Sequence, residues 1–182
     1  MRKWWIAAGF VTVLAGAAGS GLALASSSSG GPTIKTLESG KVAINKYIQD
    51  GVHFAPGTIT VKSGATLTFK YGDKEMEPHT LTIVPPAQLP KTVQQVENCR
   101  VCQQYATPHL KNPKGPPDQN NPIVDWTLDK GQPGLDTVGD SLAIQPGAHK
   151  SISAVVSAPA GTTLHYICAV HAWMQGKIVV TS

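Results

Sequence analysis

Charged residues are scarce in this chain, 14% of 182 residues, and cysteine occurs only three times. The formal net charge is +4; leaving out Arg2 and Lys3 at the N-terminus, 13 basic residues face 11 acidic ones, a net of +2. So even a balance gives no reason to propose nucleic acid as a partner. No cysteine precedes Cys99, which excludes a lipid-modified cysteine near the N-terminus. Cys99 and Cys102 form a CxxC pair, but Gln103 stands where attachment of a c-type haem needs histidine, so that chemistry is excluded as well.

What the chain does have is 41% hydrophobic residues, enough for one core, together with 18 Gly and 14 Pro set among many Thr and Val. Strands and turns suit such a composition better than long helices, and the expected class is all-β. The first 25 residues read as an export segment: "MRK" is basic, "WWIAAGFVTVLAGAAGSGLALA" is apolar, and Ala23-Leu24-Ala25 offers a small-x-small cleavage site. The same stretch is long enough to span a bilayer, so membrane attachment by an uncleaved anchor is the alternative. Residues 26–40, with "SSSSGGPT", read as a flexible spacer, and residues 41–182 as the folded domain. Either reading of the N-terminus puts that domain outside the cytoplasm, periplasmic or at the cell surface, where thiols oxidise. With three cysteines, one is left over for a metal or a reaction.

Short alternating runs follow one another along the domain: "KVAIN", "TITV", "ATLTFK" and "HTLTIV", then, beyond Asp140, "SLAI", "KSISAVVS", "TTLHYIC" and "KIVVT". About seven or eight strands make a Greek-key β-sandwich or small barrel. Between the two groups, residues 85–139 read as an insertion. Its first part repeats Val93, Val96, Cys99, Cys102 and Tyr105 at three-residue intervals, as on one face of a short helix, and the Pro-rich stretch after it reads as an irregular excursion.

The segment "YICAVHAWMQGK" spaces Cys168, His171 and Met174 three apart, directly after a strand. A thiolate, an imidazole and a thioether on one loop suit a soft metal. His79, opening the strand in "EPHTLTIV", is the fourth donor in this reading. Two histidine nitrogens and a thiolate near one plane, with a weak axial methionine, define a blue-copper electron-transfer site, whereas zinc does not select a thioether. His53, His109, His149 and His165 receive no role, and Trp126 reads as an anchor for the insertion.

The combination of "FAPGTITVKSGATLTF", "EPHTLTIV" and "YICAVHAWMQGKIVV" resembles the cupredoxins, the small blue copper proteins, with a short ligand loop of the amicyanin type and an overall likeness to plastocyanins. The resemblance covers about residues 41–84 and 141–182 and leaves the insertion out. It implies one copper ion cycling between Cu(I) and Cu(II) on His79, Cys168, His171 and Met174. It also implies electron exit at the edge of His171 and an apolar docking rim of Ala169, Val170, Ala172 and Trp173. One departure is Thr80, where many cupredoxins carry an asparagine that braces the ligand loops.

The function expected is electron transport, not catalysis: a carrier between a redox donor and acceptor such as a cytochrome, oxidase or dehydrogenase. The alternative is an extracytoplasmic copper store or chaperone. A multicopper enzyme is disfavoured because no His-x-His pair occurs. For Cys99 and Cys102 the expectation is a disulfide, with a zinc site that enlists His109 or an active dithiol as alternatives.

Overall fold

The computed structural model describes residues 30–72, 77–115 and 120–182. The export or anchor segment expected at residues 1–25 lies outside the described residues. Among the described residues, no helix is long and apolar enough to cross a membrane.

Twelve strands are present among the described residues: β1 (Thr33–Leu37), β2 (Gly40–Ala43), β3 (Tyr47–Asp50), β4 (His53–Ala55), β5 (Thr58–Lys62), β6 (Thr66–Tyr71), β7 (His79–Ile83), β8 (Thr127–Leu128), β9 (Ser141–Ile144), β10 (Ser151–Val155), β11 (Thr163–Ile167) and β12 (Gln175–Thr181). They build a four-stranded sheet in the order β10-β6-β1-β4 and a six-stranded sheet in the order β5-β12-β11-β7-β9-β8. The two sheets enclose one core. β6 shows why: in "TLTFKY" Leu67 and Phe69 are buried while their neighbours are more exposed, the alternation a pleated strand requires. From the other sheet Leu81, Ile83, Leu142, Ile144, Leu164, Tyr166 and Ile178 meet them.

The chain departs from its sequence reading in three places. Residues 33–37, read as spacer, form β1: Ile34 is fully buried, and the strand runs parallel to β6 and antiparallel to β4. "KVAIN" does not join the sandwich. It pairs instead with Tyr47–Asp50 as a separate hairpin that turns through Asn45 at φ 60°, leaving Val42, Ile44 and Ile48 exposed. The three-residue repeat from Val93 to Tyr105 is not one helix but two, α1 (Val93–Glu97) and α2 (Arg100–Ala106). The Thr92 hydroxyl caps α1 and Cys99 begins α2, so the backbone resets between them.

Both faces of β7 are buried, and this positions the site. His79, Leu81 and Ile83 share the core-facing side by alternation, while Thr80 and Thr82 face outward, where a solvated sheet would meet water. The insertion covers that outer face instead. Leu110 and Ile123, with Trp126, pack on Ala143 of β9, and a second cluster of Val84, Cys99, Val101, Cys102, Ile167, Ala169 and Ala172 sits under α2. The return of the insertion is tied down at Asp140, whose buried carboxylate accepts the backbone N–H groups of Lys130, Asp136 and Thr137 at 2.7, 2.9 and 2.7 Å.

Candidate metal centre

His79 opens β7, and Cys168 and His171 lie on the loop between β11 and β12, so sheet pairing between β7 and β11 brings residues 89 positions apart to one point. The loop closes on itself: the Cys168 N–H donates to the Met174 carbonyl, and the Met174 N–H to the His171 carbonyl, each at 2.9 Å. The Gln175 amide holds it from outside by donating to the carbonyls of Pro90 and Ala172. Gly176 lies in β12. A Cβ there would come within 2.3 Å of the Tyr166 ring, so glycine permits the close approach of β12 to that buried aromatic.

Cys168 Sγ lies 3.8 Å from Nδ1 of both His79 and His171, and the two nitrogens are 3.2 Å apart. These three sides place the point equidistant from the three atoms about 2.1 Å from each, a metal–imidazole bonding distance. The donor set therefore fits a metal ion geometrically. Met174, 1% exposed, is buried in the same cluster as Cys168, adding a thioether that suits copper and not zinc. All four side chains are buried, at 1%, 0%, 5% and 1% exposure for His79, Cys168, His171 and Met174.

Electrostatics prepare the thiol for a metal. Burial pushes the Cys168 thiol up, but hydrogen bonds from His171 and His79, with the charges on both rings, outweigh it and bring it down to about 6. Burial likewise pulls His171 down, and the Cys168 thiolate followed by the Glu77 carboxylate raise it to about 9. Without metal, neutral solution thus contains a thiolate–imidazolium pair.

Two residues bracing the site had no assigned role in the sequence. Glu77 Oε2 accepts from His171 Nε2 at 2.7 Å, leaving Nδ1 turned toward the centre. An acid two residues before a ligand histidine is the only hint of this in the sequence, and such spacing is common. Thr80 braces the ligand loop: its backbone N–H donates to Cys168 Sγ at 3.4 Å, and its Oγ1 accepts the Ala169 N–H at 2.7 Å. The four rim residues divide. Val170 and Trp173 are 37% and 42% exposed, whereas Ala169 and Ala172 are buried beneath the insertion at 6% exposure each. Cys99 and Cys102 are joined by a disulfide, and Cys168 is the free cysteine.

No protein-family model matches the sequence, and no curated protein does. Among solved structures, the chain is similar to auracyanin A, a "blue" copper protein from Chloroflexus aurantiacus, at 20% identity over 84% of this chain and 100% of that one, with a TM-score of 0.43. It is similar to a purple cupredoxin from Nitrosopumilus maritimus at 13% identity over 82% and 99% of the two chains, TM-score 0.39. A mutant fern plastocyanin matches at 21% identity over 72% and 91%, TM-score 0.35. Set at one end of a two-sheet β-sandwich, the cluster of His79, Cys168, His171 and Met174 fits a cupredoxin copper site.

Proposed function

We propose that this chain is an extracytoplasmic one-electron carrier that holds a single copper ion on His79, Cys168, His171 and Met174. The observation that carries the reading is the buried triangle of two imidazole nitrogens and one sulfur, with sides of 3.2, 3.8 and 3.8 Å. Bound copper would supply the Cu(I)/Cu(II) couple. The chain's part is to keep the donors still. Backbone hydrogen bonds close the ligand loop, Thr80 links it to β7, and Glu77 orients the His171 ring, so that little has to rearrange when the charge at the centre changes. Trp173, whose ring lies 5.3 Å from that of His171, and Val170 offer an apolar patch on which a redox partner would dock.

Burial of all four donors favours a carrier over a store or chaperone. A chaperone hands its metal over by ligand exchange and needs a donor within reach of the recipient. A buried set retains its ion through many cycles. The export reading of the N-terminus and the disulfide between Cys99 and Cys102 support an oxidising compartment.

The test is a visible spectrum of the purified chain loaded with Cu(II). An intense blue thiolate-to-copper band that is absent in Cys168→Ser is the expected result. A colourless protein that takes up zinc as tightly as copper would defeat the reading.

A further inference from the structure

A continuous chain of buried polar groups runs from the insertion to the ligand loop. His109 Nε2 lies 2.8 Å from Ser141 Oγ, which lies 2.7 Å from Thr82 Oγ1. The Thr82 hydroxyl donates to Thr80 Oγ1 at 3.0 Å, and Thr80 Oγ1 accepts the Ala169 N–H. None of the four side-chain residues is more than 1% exposed. At its far end the His109 ring is pinned again, Nδ1 hydrogen-bonding the Asp125 carbonyl, while the His109 carbonyl accepts the N–H groups of Val124 and Asp125.

The chain exists because of the way the sheet is covered. Thr80 and Thr82 on β7 and Ser141 on β9 point to the outer face, and the register pairs Thr82 with Ser141. Water would satisfy these hydroxyls on an open sheet. Here the insertion excludes water, and the imidazole it inserts terminates the row. A hydroxyl carries one hydrogen and can accept others, so each can bridge its two neighbours in the row. A threonine side chain has alternative rotamers, and only one puts Oγ1 against the Ala169 N–H; hydrogen-bonded neighbours select it.

We propose that His109 is a positioning residue for the metal centre: through Ser141 and Thr82 it fixes Thr80 Oγ1 against the Ala169 N–H, and so sets Thr80, whose backbone N–H donates to the Cys168 sulfur. Hydrogen bonding around a copper-bound cysteine tunes the reduction potential. Looser N–H donation leaves the sulfur more electron-rich, favours Cu(II) and lowers the potential. The insertion thereby acts on the centre through residues that are not themselves candidate ligands. The electrochemical consequence rests on the copper reading; the structural one does not.

Two substitutions in the full chain separate the two ends of the ring. In His109→Gln the side-chain amide reaches the place of Nε2 and keeps the bond to Ser141. In His109→Asn it reaches the place of Nδ1, keeping the Asp125 bond but breaking the row. The first readout is amide hydrogen exchange at Ala169 in the metal-free protein, followed by NMR. His109→Asn should speed it by about tenfold or more, and His109→Gln should leave it near the parent value. With copper bound, His109→Asn should lower the potential and His109→Gln should not. Thr82→Val, which cuts the row in the middle, should reproduce the His109→Asn shift, and the double variant should add nothing further. The proposal fails if His109→Asn lowers stability but leaves Ala169 exchange unchanged, or if its effects add in full to those of Thr82→Val. Were the exchange pattern as expected in a protein that never turns blue, the positioning role would stand and the copper reading would fall.

Discussion

His79 Nδ1 and His171 Nδ1 stand 3.2 Å apart across 92 positions of sequence, and Cys168 Sγ is equally distant from both. That arrangement makes metal and proton competitors. With Cys168 brought down to about 6 and His171 raised to about 9, the pair holds one proton between those values, two below about 6 and none above about 9. A metal bound at His171 Nδ1 and Cys168 Sγ must displace whatever is there. Copper affinity should therefore rise about tenfold per pH unit between about 6 and 9 on account of this pair, and more steeply below. Competition titrations against a chelator of known affinity across this range are the check. An affinity that does not change from pH 6 to 9 would contradict the proton count.

Met174 sits 1% exposed in the core cluster that includes Cys168, so leucine is close to it in volume and polarity. Met174→Leu should cost less than about 1.5 kcal/mol in stability. The blue band should persist because the three strong donors remain, and the potential should rise because an axial donor to Cu(II) has gone. Loss of colour in this variant would mean that the thioether carries more of the coordination than an axial contact.

Two of the candidate donors were legible because each lay beside a strong local pattern: His79 at the head of "HTLTIV" and Cys168 at the tail of "TTLHYIC". Strand alternation in those runs survives in the structure, as Leu164 and Tyr166 in the core show. What escaped is what depends on covering. β1 has only Ile34 and Thr36 as inward residues in a polar stretch, and nothing local announces the parallel partner β6 that buries them. His109 looked like one histidine among several because its burial comes from a β9 face 32 positions away. Ala169 and Ala172 looked like surface because the disulfide-bearing helix that covers them belongs to the insertion, outside any resemblance.

The disulfide between Cys99 and Cys102 closes a very short loop, for which the chain-entropy argument gives only about 2 kcal/mol. Its sulfur-bearing residues pack on Ile167, Ala169 and Ala172, not on the metal donors. Replacing both cysteines with alanine should thus lower the melting temperature while leaving copper binding and the blue band in place. Intact mass of the parent should show one disulfide and one free thiol. If the double variant failed to hold copper, the insertion would be more tightly bound up with the centre than its packing indicates.

The exposed rim beside His171 is narrower than the loop sequence offers, since of the four apolar residues only Val170 and Trp173 are well exposed. Trp173 stands edge-on to His171, 5.3 Å between ring centres, so a partner that covers the indole also approaches the imidazole edge. Large aromatic side chains at the centre of a contact tend to dominate its energy, while a domain with a net charge of only +2 provides weak long-range steering. Electron exchange with the partner should slow markedly in Trp173→Ala at unchanged spectrum and potential, and should respond little to salt. One charge qualifies that: Glu77, its side chain 65% exposed, sits at the same edge through its bond to His171. Stopped-flow rates for Trp173→Ala and Glu77→Gln at low and physiological ionic strength separate the two contributions. A rate that falls steeply with salt, is altered by Glu77→Gln and ignores Trp173→Ala would make the contact electrostatic and move its centre from the indole to the carboxylate.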